Sequence, residues 1–351
     1  MRPVRVLVVD DSATMRFLIA SVLSRDPMIE VVGEVADPLQ ARDAVKALNP
    51  DVMTLDVEMP KMDGLEFLEK VMRLRPFPVV MISGQTGRGA AAAISALELG
   101  AVSCVCKPTP ERPDTFDDLP AIVKAAASAH LDRRSQHASS RAPEAAEYKP
   151  DGRIVAIGAS TGGVEALVAI ISRMPANCPP SLVAIHLPSP FTRSFAMRLD
   201  GLCEARVMEA EDGALVRPGE IYIAPGSVAH LEICGAGPPR CRLQKGEPIN
   251  GHRPSVDALF HSVAKTCGAN ALGVILTGMG RDGAAGLLAM RQAGARTLGQ
   301  DEATSVVYGM ARAAYEIGAV ERQSALSEIA AQILALTSKF QPRRTSHGAR
   351  G

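Results

Sequence analysis

The sequence predicts an α/β protein of two units: an N-terminal doubly wound domain on a five-stranded parallel sheet, a linker, and a larger doubly wound α/β domain. Three observations lead there. Short apolar runs alternate with amphipathic stretches through the first hundred residues, the pattern of a parallel sheet covered on both faces. The alternation fails from Thr109 to Pro150, where prolines punctuate a polar stretch, and resumes from Arg153 to Thr337. A chain of 351 residues is also long enough for two domains of roughly 150 residues each.

Strands are expected at Val4–Val9, Glu30–Ala36, Val52–Leu55, Val79–Ile82 and Ala101–Cys106, all rich in apolar and β-branched residues. Helical segments are expected near 13–24, 39–48, 64–74 and 89–99, with Leu119–Leu131 carrying helical character inside the polar stretch. In the second half a strand over Arg153–Ile157 meets a glycine-rich turn and an apolar helix, Val164–Ile171. The run Leu182–Ile185, the helical pattern Val256–Lys265 and the strand Leu272–Leu276 follow. The expected organisation is a domain over 1–120, a linker over 121–150, a second domain over 151–340 and a disordered tail over 341–351.

Composition excludes several functions. Thirty-eight basic side chains balance 38 acidic ones, so no basic excess is available for a phosphate backbone. Eight Phe, four Tyr and no Trp leave little for base stacking, and nucleic acid is not an expected partner. No apolar run approaches the roughly 20 residues of a membrane span, and the N-terminus runs straight into a strand rather than a signal peptide. Seven cysteines, an odd number whose one close pair is Cys104-Val105-Cys106, read as buried free thiols in a reducing, cytoplasmic setting.

Polar residues stand at the carboxyl ends of the N-terminal strands, where open parallel sheets bind ligands: Asp10 and Asp11, Asp56, Ser83 and Lys107. Each has a simpler role available, such as Asp11 or Ser12 capping a helix from Ala13. All five at strand ends of one sheet do not. Three converging carboxylates call for a cation, and Mg²⁺ takes a few carboxylates plus waters. Asp56 could then attack a phosphoryl group whose oxygens Ser83 and Lys107 hold. With the Asp10-Asp11 pair, the loop Asp56-Val57-Glu58-Met59-Pro60-Lys61-Met62-Asp63-Gly64 and Lys107-Pro108, residues 4–108 resemble a response-regulator receiver domain. The resemblance implies phosphorylation of Asp56 by a histidine kinase. It also implies Mg²⁺ on Asp11, Asp56 and the backbone carbonyl of Glu58, with Asp10 beside them, and phosphoryl sensing by Ser83 and Lys107. Cys104 stands where many receivers carry an aromatic switch residue.

In the second half, Gly158-Ala159-Ser160-Thr161-Gly162 fits G-x-S-x-G between strand and helix, the context of an exposed nucleophilic serine. A phosphate cradle is the alternative, but the full G-x-G-x-x-G is lacking. Among seven histidines, His130 and His137 fall in the linker, His347 in the tail and His261 inside a helical pattern. His186, ending the run Leu182–Ile185, lies level with Ser160, while His230 and His252 are weaker candidates for a base. Asp282 is the one carboxylate of the loop Thr277-Gly278-Met279-Gly280-Arg281-Asp282-Gly283, and reads either as orienting acid or as a cap for the helix from Ala284.

Residues 152–338 resemble the catalytic domain of the chemotaxis protein-glutamate methylesterases, the CheB family. Gly-Ala-Ser-Thr-Gly-Gly at 158–163, Ile-His-Leu-Pro at 185–188 and His-Arg-Pro-Ser-Val-Asp at 252–257 carry the likeness, with the segment 300–310. The resemblance implies Ser160 as nucleophile, His186 as base and Asp282 as orienting acid, with Thr161 and Met279 supporting the oxyanion. It further implies a receiver acting as a lid on the catalytic cleft. The chemistry would be hydrolysis of glutamate γ-methyl esters, and deamidation of particular glutamines, on methyl-accepting chemoreceptors in chemotaxis adaptation. No cofactor is expected for the esterase step itself. Ala311 replaces the family's usual Pro, for which a local loop effect is expected. Two rival readings are a receiver-linked scaffold or binding output without esterase activity, and a hydrolase of small soluble esters.

Overall fold

The structure, a computed structural model, describes residues 2–59, 63–84, 86–129, 148–235 and 237–339. Most of the expected linker, its His130 and His137, and the tail with His347 lie outside the described residues, as do Pro60, Lys61 and Met62.

In the N-terminal unit β1 (Val4–Val9), α1 (Ala13–Leu23), β2 (Ile29–Val35), α2 (Pro38–Leu48), β3 (Val52–Asp56), α3 (Gly64–Leu74), β4 (Val79–Ser83), α4 (Gly87–Leu99), β5 (Ser103–Cys106) and α5 (Leu119–Ala127) follow one another. The five strands pair in parallel in the order β2-β1-β3-β4-β5. Side chains that accept helix N-terminal amides start the helices: Ser12, Asp37, Asp63 and Thr86 each take an N–H of the first turn. Ser12 therefore caps α1 and leaves Asp11 exposed and free for other work. Helix α5 packs Leu119, Val123 and Ala126 against Val6, Val8, Val80 and Ile82 of the sheet. The packed residues of this unit thus run to Ala127, beyond the expected limit at 120, because an apolar stripe every three to four residues gives this short helix a core face.

The second unit contains β6 (Ile154–Ala159), α6 (Gly163–Ile171), β7 (Ser181–Ile185), α7 (Ser189–Asp200), β8 (Arg206–Glu209), β9 (Glu220–Ile223), β10 (His230–Cys234) and β11 (Arg240–Gln244). Then come α8 (Val256–Cys267), β12 (Ala271–Ile275), α9 (Ala284–Gln292), β13 (Arg296–Gln300), α10 (Met310–Glu316), β14 (Arg322–Ser324) and α11 (Leu326–Leu336). Seven strands form a parallel sheet in the order β14-β13-β12-β6-β7-β9-β8, and β10 with β11 makes a separate antiparallel hairpin. From β6 the chain first adds strands on the β7 side and later returns to place β12 on the other. Ser160, just past β6, therefore stands at the switch point of the sheet. The same reasoning puts Asp10 and Asp56 at the switch between β1 and β3.

The units meet through α4, which packs on α6 and α7. One apolar cluster continues from Ile94 and Leu97 of α4 to Leu167, Ile170, Phe191 and Phe195. At the edge of this contact Arg198 donates from Nε and Nη2 to the two carboxylate oxygens of Glu98 at 3.0 and 3.2 Å. That pair is partly exposed and adds about 1 kcal/mol at most, so apolar burial holds the interface. Cys104 is buried at this side of the sheet, and all seven cysteines are free thiols. Ala311 is fully buried in the first turn of α10 rather than in a loop; a first-turn residue needs no intrahelical N–H bond, so Ala and Pro are both compatible there.

The loop that presents Asp56 returns close upon itself. A Cβ at Gly64 would stand 2.0 Å from the Asp56 carbonyl oxygen, a backbone atom that has nowhere to move. Gly64→Ala should therefore destabilise the N-terminal unit by about 1–3 kcal/mol, seen as a drop of several degrees in its calorimetric transition. An unchanged transition would contradict the packing.

Candidate active site

Register brings the catalytic candidates together. Ala159 of β6 pairs with Ile185 of β7, so Ser160 and His186 are both the first residue beyond a matched pair. On the other flank Gly158 pairs with Ile275 of β12, and Ser160 N–H donates to Thr277 O at 3.0 Å. His186 Nδ1 lies 3.1 Å from Ser160 Oγ, and Nε2 lies 2.9 Å from Asp282 Oδ2. The imidazole carries its proton on Nε2, donating to the carboxylate, and turns the Nδ1 lone pair to the serine hydroxyl. This is the state of a general base.

Asp282 is almost fully buried, and its carboxylate is heavily solvated by the protein. Oδ1 accepts from Asn250 Nδ2 at 3.0 Å, Ser255 Oγ at 2.8 Å and Asp257 N–H at 3.2 Å. Oδ2 accepts from Val256 N–H at 2.7 Å besides His186. Burial pushes the carboxyl up, but His186, Asn250 and the Val256 amide outweigh it and hold it far below the ordinary range. The neighbouring Asp257 moves the other way. Burial and the charge on Asp282 raise it, although the Gly286 amide and Asn250 bond to it. Asp282 is not the cap of α9; Gly283 precedes that helix and no side chain caps it.

The loop before α8 and the first turn of that helix supply four of these five donors, and sequence reasoning assigned them no role. Asn250 takes φ 53°, in the left-handed region; an Asn-Gly pair at 250–251 is a turn signal that could have drawn attention to it. Ser255 caps α8, accepting from Ala258 N–H. His230 is buried, with Nδ1 accepting from Ser255 N–H at 3.1 Å and Nε2 donating to Glu247 O at 3.0 Å. It braces the loop rather than meeting Ser160. His252 stacks on His186 with ring centroids 3.7 Å apart and planes 16° from parallel. Burial, then the proximity of His186, pulls its imidazole down to about 4.

Thr161 and Met279 line the same cleft as Ser160. Among the described residues neither backbone N–H has a protein acceptor. Thr277 fixes the loop between them, its Oγ1 donating to Thr161 O at 2.9 Å and accepting from Val307 N–H at 3.0 Å. A Cβ at Gly278 would come within 2.7 Å of Ser160 Cβ and 2.4 Å of Met310 Sδ, so this approach requires glycine. The cleft, of about 590 Å³, is walled partly by the N-terminal unit through Cys104, Arg112 and Ile122.

In that unit Asp10, Asp11 and Asp56 each bring a carboxylate oxygen within 4.8 Å of the others, a separation one hard cation can span. Lys107 Nζ lies 2.8 Å from Asp56 Oδ2 and 3.0 Å from Asp10 Oδ2. Glu58 is exposed, and its N–H donates to Asp56 Oδ1 at 3.3 Å; its side chain is not part of the cluster. Burial raises Asp56 to about 6, with Lys107 opposing and Asp10 assisting. Burial lowers the Lys107 ammonium less than Asp56 and Asp10 raise it, so it stays charged. Ser83 Oγ bonds Gly89 O at 3.0 Å in the first turn of α4 and makes no bond to Asp56.

Comparison with known proteins agrees with this geometry. Residues 155–333 match the family model described as CheB methylesterase, and residues 6–114 match the response regulator receiver domain. The chain belongs to the CheB methylesterase family. A curated relative from Agrobacterium fabrum, named protein-glutamate methylesterase/protein-glutamine glutaminase, is 58% identical over 95% of this chain and 97% of its own length. One of the same activity name from Caulobacter vibrioides is 57% identical over 96% and 99%. The crystal structure of the Thermotoga maritima CheB methylesterase catalytic domain superposes with a TM-score of 0.51 at 39% identity, covering 53% of this chain and 98% of that one. The two matches run in the order found here, a receiver followed by the parallel-sheet catalytic domain.

Two titrations follow. Asp282 has a folded-state pKa below its unfolded value of about 3.9, so its contribution is complete above that value and is lost progressively as pH falls from there through the folded value. The melting temperature of the second unit should drop below about pH 4, and Asp282→Asn should narrow that drop while lowering kcat by about 10³–10⁴-fold. Asp56 is shifted upward, so the folded state binds more protons between about 3.9 and 6 and stability falls as pH rises through that window. Without Mg²⁺, Asp56→Asn should melt higher than wild type at pH 8, the gap closing toward pH 4. Equal melting at pH 8 would show that Asp56 carries no such burden.

Proposed function

We propose that the chain hydrolyses γ-glutamyl methyl esters, and deamidates particular glutamines, on the cytoplasmic helices of methyl-accepting chemoreceptors, under control of phosphorylation at Asp56. The observation that carries the reading is the continuous Ser160–His186–Asp282 relay at three strand ends, with contacts of 3.1 and 2.9 Å. The activity names of the relatives supply the substrate class.

His186 Nδ1 takes the Ser160 hydroxyl proton as Oγ attacks the ester carbonyl, and Asp282 stabilises the imidazolium that forms. The free amides of Thr161 and Met279 would receive the developing oxyanion, a contribution of about 3–4 kcal/mol per donor in comparable chemistry. His186 returns the proton to the departing methoxide, or in deamidation to the departing amide nitrogen, which leaves as ammonia. Water activated by the same imidazole then releases the acid from Ser160. No group outside the chain is required for these proton movements.

The cleft over Ser160, of about 590 Å³, is of a size to take a glutamyl side chain, and Cys104, Arg112 and Ile122 of the receiver stand on its wall where the helix bearing that side chain would approach. Access to Ser160 therefore calls for movement of the receiver, whose residues form one wall. Phosphoryl transfer from a histidine kinase to Asp56 Oδ would break the Asp56–Lys107 contact of 2.8 Å and put new charge at the carboxyl ends of the receiver strands. Asp10, Asp11 and Asp56 fit Mg²⁺ by donor type and spacing, the Glu58 carbonyl being the further ligand that the receiver likeness implies, and the ion when bound would neutralise phosphoryl charge. Ser83 and Lys107 would take the phosphoryl oxygens. Chemoreceptors and their kinase work at the cytoplasmic face, and no helix among the described residues is long and apolar enough to cross a membrane.

Methanol release from methylated receptor membranes, with and without a phosphodonor, tests the reading. Ser160→Ala should abolish release, and Asp56→Ala should abolish only the response to phosphodonor. Residues 150–351 alone should exceed the unphosphorylated full chain, since the wall over the cleft is gone. Release that survives Ser160→Ala, or a truncated chain no faster than the full one, would contradict the triad or the lid respectively.

A further inference from the structure

We propose that His252 is a positioning residue of the esterase reaction, its ring stacked on His186 to hold the base in the plane that meets both Ser160 and Asp282. The proposal rests on the esterase reading above. Contacts at the two ring nitrogens fix the ends of His186 but leave the ring free to rock about the line joining them, because that rotation changes neither distance much. A flat neighbour on one face removes this freedom. The centroid separation of 3.7 Å and the 16° tilt put His252 in full face contact.

The stack is built into the same loop that grips Asp282. His252 N–H donates to Ile249 O at 2.9 Å and Ile249 N–H returns to His252 O at 3.0 Å, while Ser227 N–H holds Arg253 O at 2.8 Å. Asn250 and Ser255, on either side of His252, bond Asp282. One rigid segment thus sets the carboxylate and the imidazole relative to each other. Among the described residues the ring nitrogens of His252 have no hydrogen-bond partner, so packing against His186 is its principal contact in the cleft. Burial disfavours its protonation; of the titratable groups bearing on it, His186 disfavours it too and Asp282 favours it. It therefore stays neutral through the working pH range and adds no charge against the imidazolium that forms on His186.

The test uses the full chain with a phosphodonor and methylated receptor membranes, comparing His252→Ala, His252→Gln and His252→Phe. Ala and Gln lack an aromatic face, and each should lose about tenfold or more in kcat with KM within about twofold. Phe restores the face and should recover kcat to within about threefold, with the acid limb of the pH profile of kcat/KM unmoved because one neutral ring replaces another. The rate of Asp56 phosphorylation and the melting curve report folding independently of the esterase site; should Ala prove unfolded, Gln against Phe decides. Wild-type kcat in Ala or Gln overturns the stack, and so does a Phe variant as slow as Gln. An inactive wild type overturns the esterase reading and this proposal with it, whereas an active wild type with indifferent His252 variants overturns this proposal alone.

Discussion

The buried carboxylate of Asp282 is the constraint around which the second unit is built. A charge taken out of water costs several kcal/mol unless the protein replaces its hydration. Here five donors do so: His186, Asn250, Ser255 and the amides of Val256 and Asp257. Two of these are first-turn amides of α8, so the positive end of a helix faces the charge. The helix can come this close only because Gly158 and Gly283 leave room for Val256, where a Cβ would stand 2.2 and 2.5 Å from its Cγ1. Sheet, helix α8 and the loop before it are thereby locked to one carboxylate, and His186 inherits its orientation from that lock.

The receiver solves a different problem with the same residue type. Asp56 is as buried as Asp282, yet it has a like charge beside it and one ammonium, with one long amide contact. Its carboxyl is raised where that of Asp282 is depressed. One environment keeps a charge permanent, as an orienting acid needs. The other makes charge costly, a cost that a cation among Asp10, Asp11 and Asp56 would relieve.

The two sites communicate through shared walls. Helix α4, whose first turn holds the Ser83 hydroxyl, packs by its later residues on α6 and α7. Helix α6 starts three residues after Ser160, and α7 starts three after His186. Val306 reaches across as well, touching the position of Gly162 and packing on the receiver cluster that includes Phe116 and Leu119. A change at Asp56 therefore has short, continuously packed routes to the catalytic turn.

In the second unit β8 to β11, β13, β14, α7, α10 and α11 were not read from the sequence. The N-terminal elements and β6, α6, β7, α8 and β12 were legible because buried parallel strands are apolar runs and amphipathic helices carry a periodic stripe. The same held for Ser160, His186, Asp56 and Lys107, which sit where such runs end. The extent of α5 was less so, since a helix of nine residues in a polar stretch gives a weak periodic signal. Three donors of Asp282 had no role legible in the sequence: Asn250, Val256 and Asp257 act from a loop and a helix start 25 to 32 residues away, two of them through backbone amides that carry no side-chain signature. Asp282 itself could equally have been a helix cap, and His252 an ordinary loop histidine. The sequence by itself determined the N-terminal sheet, the central strands β12, β6 and β7 of the second, and the chemical types at their carboxyl ends, because local patterning and chain order suffice for that. Only the tertiary structure decided which carboxylate is held charged, which imidazole faces the serine and which one backs it, because those outcomes depend on distances between residues far apart in the chain.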